Sequence, residues 1–319
     1  MTHDSRLNKD IYNKLCAQNR SVPLFEKPWW LDLVCEKWDV AVAKKGEQVT
    51  GAWPYPIEKK LGVNLLRTPV LTPYMGPLVL FPADLKESNL DSFEHETVAE
   101  LLKQMPAAKV WNLALQPGMK QAGLFKKHAL ETKVQQTFLL ELIEDEQTLF
   151  LNMKDATRRN IRTAEKEVTV TNSPAHLKQL YEFQKNTLSK KGKSLNCSFE
   201  YMQKIMDACI THDAAALWTA TDNTGKIHAI VWQVWDEERS YYFMGGQNPD
   251  ANSYRAMSLL LWHTIKEAKA RGNNIFDLEG SMDEGVERFF RNFGGDRALY
   301  MILMKNTSLR WKLKQAILK

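Results

Sequence analysis

Cysteine is scarce in this chain: four in 319 residues, at Cys16, Cys35, Cys197 and Cys209. None forms a CxxC pair and no nearby histidine completes a zinc-ligand spacing, so neither a metal site nor a disulfide framework is expected. Long apolar runs are also missing. No stretch approaches the roughly 18 apolar residues of a spanning helix, and the segment MTHDSRLNKDIYNKL has no secretory apolar core or cleavage site. The expectation is a cytoplasmic protein with reduced cysteines. No GxGxxG follows a first strand, which leaves a dinucleotide fold without support. Ser281 follows Glu279-Gly280 but lacks the GxSxG elbow and a histidine placed to activate it. A strong excess of one charge is absent as well, with 43 Lys and Arg against 38 Asp and Glu. The five cations from Lys305 to Lys319, with no acid among them, match the entire net charge of +5. That segment suggests a local surface for a membrane, an anionic ligand or RNA, rather than a nucleic-acid-binding protein as a whole.

What is present is an ordinary globular balance, 44% hydrophobic and 25% charged, in a length that suits about two domains. Pro28 begins a helix whose apolar residues Phe25, Trp29, Trp30, Leu33, Val34 and Trp38 recur at helical spacing. VAVAKK and QVTGAWPYPIEKK read as a strand pair, and RTPVLTPYMGPLVLF as extended chain that its prolines keep from being a central strand. A helix over 91–105, strands over 108–115 and 133–142 and a helical turn near 118–124 complete a first unit. The second opens with a helix over 152–167 and the strand VTVTN, followed by helices capped by Ser173 and Ser198. A three-strand meander ending RSYYFMGG comes next, then a helix over 253–270, the strand NNIFDLEG, a helix over 284–293, the strand ALYMILMK and a tail helix. The halves echo each other. The expected fold class is α+β, with mixed, largely antiparallel sheets in domains 1–142 and 143–305 and a basic C-terminal helix over 306–319.

Several constellations carry chemistry. Lys154, Arg158, Arg162 and Lys166 fall four apart and line one helix ridge, where aligned cations suit an anionic ligand. Arg159 lies off that ridge, free to pair with an acid from another element. Asp277 and Glu279 are two apart in a strand and would share a face, so they are candidates for general acid–base work or for salt bridges to Arg288, Arg291 or the ridge. Arg291 stays polar among Phe289, Phe290 and Phe293, which suits an ion pair or a ligand contact. Tyr241 and Tyr242 precede Gly245 and Gly246, which permit close approach of a ligand or of the chain. Tyr74, in the rigid loop TPYMGP, is a candidate ligand wall.

The RRNIRTAEK segment, the YYFMGG strand, FDLEGS and FFRNFGG, with LTPYMGP in the first half, resemble FemAB-like proteins, a branch of the GNAT-fold acyltransferases. The resemblance runs from about Trp29 to Lys305. It implies twin GNAT-like domains and transfer of an amino acid from aminoacyl-tRNA to a peptidoglycan precursor. It implies, further, that Arg158, Arg159, Arg162 and Lys166 face substrate anions or brace a groove, with Tyr74, Tyr241 and Tyr242 near a peptide. Two departures stand out. The segment Asn252–Met257 has no glycine where acetyl-CoA enzymes cradle the diphosphate, and the helical arm of some FemA-type proteins is missing.

The expected activity is therefore an acyl- or aminoacyl-transferase that forms an amide bond on an anionic, cell-wall-precursor or nucleotide-linked substrate. Asp277 or Glu279 would take the amine proton, and a backbone N–H at a bulge or split in the second sheet would hold the oxyanion. No permanently bound cofactor is expected; the donor is acyl-CoA or aminoacyl-tRNA. Expected partners are the anionic substrate, tRNA and the inner membrane face as a peripheral contact. Two rivals stay open: an acyl-CoA- or acyl-carrier-dependent N-acyltransferase of polysaccharide or lipid metabolism, and a non-catalytic binder of an anionic ligand.

Overall fold

The computed structural model describes residues 5–19, 21–251, 254–280 and 282–317. The chain divides into two compact units, Met1–Gln135 with Leu299–Lys319, and Gln136–Ala298. The strand expected at 298–305 thus passes back into the first unit, which differs from a second domain running to residue 305.

Unit 1 begins with α1 (Ser5–Gln18) and α2 (Pro28–Val34), the latter with Pro28 at its first position. The hairpin β1 (Trp38–Lys45) and β2 (Gln48–Pro56) follows, then β3 (Glu58–Lys60), β4 (Val63–Arg67) and β5 (Leu78–Val79). After these come α3 (Leu90–Gln104), β6 (Val110–Ala114), α4 (Ala122–Lys127) and β7 (Glu131–Glu141). β1, β2 and β5 form one sheet, and β4 pairs parallel with β6. α3 buries Val98, Leu101 and Leu102 along one stripe, as its helical period predicts, and these join Trp53, Leu113 and Phe125 in one core.

Unit 2 runs α5 (Glu146–Leu151), α6 (Asp155–Glu167), β8 (Thr169–Asn172), α7 (Leu177–Lys190) and α8 (Phe199–Thr211). The meander β9 (Ala215–Thr221), β10 (Ile227–Trp235) and β11 (Arg239–Gln247) follows. Next are α9 (Tyr254–Ala270), β12 (Ile275–Asp277), α10 (Glu284–Arg291) and β13 (Asp296–Asn306), which carries the chain into unit 1 and α11 (Leu309–Ile317). Within unit 2 the strand order is β7-β12-β11-β10-β9-β8, antiparallel except for the parallel pair β11 and β12. β10 is buried from Ala229 to Trp235, as a strand covered on both faces must be. Its polar Gln233 is satisfied by Trp218, Ser240 and the Thr264 carbonyl. α6 buries Thr157, Ile161 and Ala164, and its apolar pair joins Ala256, Leu260 and Ile265 of α9 in one core.

Two local expectations change. Ser198 caps α8 by accepting from the Tyr201 N–H, but Ser173 makes no side-chain cap and precedes a short 3-10 turn ahead of α7. The strand expected through Gly280 ends at Asp277. Asn252, Ser253, Ser281 and Lys319 lie outside the described residues.

Candidate active site

The distinctive feature of unit 2 is a parting of two strands. β12 pairs with β11 only through Arg239–Ile275, Ser240–Phe276 and Tyr241–Asp277, while β11 runs on to Gln247. The chain after β12 instead follows β7: Leu278 N–H donates to the Phe138 carbonyl (3.0 Å) and Gly280 N–H to Thr137 Oγ1 (2.8 Å). β11 also carries a bulge, because Trp232 opposes Met244 and Gln233 opposes Tyr242, leaving Phe243 over. Both features lie in the sheet where a bulge or split was expected.

The two glycines of YYFMGG serve the chain. A methyl group on Gly245 would overlap the Tyr242 hydroxyl, and one on Gly246 would press on Leu180 and Phe183 of α7. Gln184 of α7 donates to the Gly245 carbonyl. Gly280 has no room for a side chain against the backbone of Gln136 and Thr137, which fixes the path that carries Glu279 away from β11.

Asp277 and Glu279 do not share a strand face. Glu279 stands beyond the strand end with φ of 45°, a left-handed backbone that breaks the alternation. Asp277 is fully buried; its Oδ1 accepts from Thr137 Oγ1 (2.6 Å) and from the Glu279 N–H (2.9 Å). Its Oδ2 has no hydrogen bond and lies 3.8 Å from Arg239 Nη1. Burial pushes Asp277 up, and Arg239, Thr137 and the Glu279 N–H oppose the shift. Glu279 is half-buried overall, yet its Oε1 has no solvent contact and no hydrogen bond. Burial first, and the neighbouring Asp277 charge second, hold its carboxyl well above the usual range. The salt-bridge partners suggested for this pair are engaged elsewhere: Arg288 with Glu284 (3.1 Å) and Arg291 with Glu287 (3.8 Å).

The tyrosines separate. Tyr242 is half-buried, with its ring against Phe290 and its hydroxyl 3.7 Å from Met257 Sδ. Burial raises its phenol and Glu279 raises it further, so it stays protonated. Tyr241 is buried and donates to Asp236 Oδ2 (3.1 Å), a core position rather than a substrate contact. Tyr74 is buried in unit 1 with its ring edge-on to Tyr300 (5.0 Å), so it does not present an open wall.

One member of the cationic ridge, Arg158, is drawn into local bonds, and Lys154 keeps an exposed side chain. Lys154 is the N-cap of α6, and Arg158 turns back to Asp155 and the Leu151 carbonyl. Arg159, Arg162 and Lys166 are exposed, Arg162 with its guanidinium 5.3 Å from the Phe150 ring. Arg291 is exposed, outside the phenylalanine cluster.

Thr137, Gln184, Arg239 and Asp236 were missed. Only Arg239, at the start of the meander's last strand, carried a local signal. Thr137 is 140 residues from the Asp277 it binds. Among the described residues no His, Cys, Asp and Glu cluster could hold a metal. A cavity of about 350 Å³ in unit 1, lined by Leu102, Trp111, Leu130 and Lys305 among others, includes none of these residues.

Unit 2 thus carries a bulged meander strand that parts from its parallel neighbour. Residues 152–291 match the family described as "Acetyltransferase (GNAT) domain", and this segment is a GNAT-type domain. The chain is similar throughout to the crystal structure of FemX, with a TM-score of 0.65 at 13% identity, covering 100% of this chain and 99% of that one. This likeness shows the fold. Two structures overlap less closely. One is the C-terminal domain of a putative lysylphosphatidylglycerol synthetase from Agrobacterium fabrum, with a TM-score of 0.49, 11% identity and 84% of each chain covered. The other is a tandem GNAT protein from the clavulanic acid biosynthesis pathway, with a TM-score of 0.49, 9% identity and 85% and 84% covered. No curated protein matches the chain in sequence.

Proposed function

We propose that unit 2 transfers an acyl or aminoacyl group to an amine and that the reaction runs at the parting of β11 and β12. The supporting observation is Glu279, set at the end of the split with a raised carboxyl and an unbonded Oε1. A base whose pKa is raised toward the working pH takes a proton more effectively than an ordinary carboxylate. The amine nitrogen attacks the carbonyl carbon of the ester or thioester, and its proton passes to Glu279. Asp277 acts through Glu279 as a neighbouring charge. The N–H groups of β11 beyond Tyr241 that face away from β10 hold the oxyanion. On collapse the C–N bond remains, the C–O or C–S bond breaks, and the Tyr242 O–H, engaged only by a weak sulfur acceptor, protonates the leaving group. The proton on Glu279 then returns to Tyr242 through solvent.

The exposed ridge cations Lys154, Arg162 and Lys166, with Arg159 beside them, are the ones placed to meet an anionic substrate. The FemAB resemblance favours a cell-wall precursor as that substrate and aminoacyl-tRNA or acyl-CoA as donor. In the same reading unit 1 is a second GNAT-like domain.

A thermal-shift series with acetyl-CoA, longer acyl-CoAs, a UDP-muramyl pentapeptide and charged tRNA tests this, since a ligand of the folded state raises Tm by mass action. The expected result is a rise with one donor class and with the muramyl peptide. A rise with acyl-CoA alone would replace the cell-wall substrate with a general amine. No rise with any donor would overturn the transferase reading.

A further inference from the structure

Two surface elements at one end of unit 1 expose leucines where polar residues would serve solubility better. β3 and β4 are joined by a tight turn at Leu61 and Gly62, with φ of 54° and 72°. Asn, Asp or Gly is favoured at the first of these positions; here a leucine occupies it and is 55% exposed. Beside the turn lies α11. Its Trp311 packs on Val63, Leu65 and Val110, and Arg310 Nη1 reaches toward the Leu61 carbonyl at 3.5 Å.

Trp311 anchors the inward side of α11. Leu309 and Leu313, four apart, share a ridge about half a turn away from it and are 72% and 57% exposed. On the helical wheel Lys312 flanks this ridge on one side and Arg310 on the other, and both are exposed. Lys59 is exposed next to the turn. Lys109 is exposed at the same end, tied in by its N–H to the Asn64 carbonyl (3.2 Å) and by its carbonyl to the Thr307 N–H (2.9 Å). The local acid, Glu58, is neutralised by Arg67 and Lys60. An outward apolar ridge bordered by cations is the pattern of a helix that lies in a bilayer interface. Among the described residues no helix is long and apolar enough to cross a membrane, so the contact is peripheral.

We infer that the β3–β4 turn and α11 form a docking surface for an anionic lipid bilayer, with Leu61, Leu309 and Leu313 entering the headgroup boundary and Lys59, Lys109, Arg310 and Lys312 meeting lipid phosphates. Charge complementarity alone would also suit RNA, but RNA offers nothing to bury the leucines. This inference is independent of the reaction proposed for unit 2.

The test is co-flotation of the full chain with phosphatidylcholine vesicles containing about one-third phosphatidylglycerol, against pure phosphatidylcholine. The expected result is binding to the anionic vesicles, at least about tenfold weaker on neutral ones. The double variant Leu309→Ser/Leu313→Ser, which leaves the charge unchanged, should lose at least about tenfold in binding while keeping its Tm. Arg310→Ala/Lys312→Ala should weaken binding and flatten its salt dependence. Absence of binding to the anionic vesicles, or binding retained by the double serine variant, would overturn the proposal. So would a concentration-dependent dimer that the serine variant abolishes without any vesicle binding, since the ridge would then be covered by a second copy. Poly(U) binding through the same cations, with no vesicle binding, would hand the surface to RNA.

Discussion

Each unit contains a parallel strand pair, β4 with β6 and β11 with β12, and each places a polar residue two positions beyond the second strand. In unit 1 that residue is Gln116, and in unit 2 it is Glu279. Their surroundings are opposite. The loop at 72–77 returns over the end of β6, with Met75 N–H on the Ala114 carbonyl (2.7 Å) and Gly76 N–H on Glu26 Oε1 (2.9 Å). Gln116 donates to the same Glu26 oxygen (2.6 Å). Glu26 is completely buried and raised to about 7 by burial, while those two donors pull it down. Its carboxyl works as the fastener of a closed loop. No comparable donors reach Glu279 Oε1, and the neighbouring Asp277 charge raises Glu279 further. Both carboxyls are raised by burial, and the donors around them set the two apart.

The comparison is broken most directly at Glu279. Glu279→Gln keeps the shape and removes the base, and should lower kcat/KM by roughly 10²–10⁴-fold with little loss of Tm. An unchanged rate in a single-turnover assay would remove Glu279 from the mechanism.

Giving unit 1 the carboxyl of unit 2 sharpens the contrast. Gln116→Glu replaces a donor with a second carboxyl against Glu26, which should destabilise the fold by about 3 kcal/mol at neutral pH or above, and less in acid. Urea unfolding across pH measures this, and equal destabilisation at all pH values would contradict it.

Glu26→Gln should act in the other direction. Because folding raises this carboxyl, the folded state holds its proton more tightly than the unfolded chain does. Its stabilisation is complete below the ordinary carboxylate range and is lost as pH rises to about 7. The variant mimics the protonated form, so its stability relative to the native chain should improve by on the order of 3 kcal/mol from acid to mildly alkaline pH. Parallel stability curves for the two proteins would count against a raised Glu26.

Arg162→Ala carries the smallest expected effect. The residue is exposed and partly held over Phe150, so its loss should weaken an anionic substrate by about 1 kcal/mol, read as a rise in KM at constant kcat. A fall in kcat alone would place Arg162 nearer the reacting atoms than its exposure allows.

Much of the fold was legible because its signals are local. The period of α6, Pro28 at the start of α2 and the Ser198 cap all act within a few residues. The site was legible only in part. Tyr241 and Tyr242 could be singled out beside the glycines, but which one met the core depended on Asp236 and on α10 packing at Phe290. The pairing of Asp277 with Glu279 failed for a backbone reason: nothing in DLEG signals that Glu279 adopts a left-handed conformation, because Gly280 is held to Thr137 far away in sequence. The ridge was visible as spacing, but the turn of Arg158 onto Asp155 and Leu151 was a matter of geometry at the helix start.

The proposed role of Glu279 is that of proton acceptor at the parted strands. It is tested most directly by the pH dependence of kcat/KM for the native enzyme and for Glu279→Gln, once a donor and acceptor are in hand. Native activity should rise with pH along an acidic limb set well above the ordinary carboxylate range, and Glu279→Gln should lose this limb along with most of its rate. A native limb at an ordinary carboxylate value, or one that survives in the variant, would contradict it.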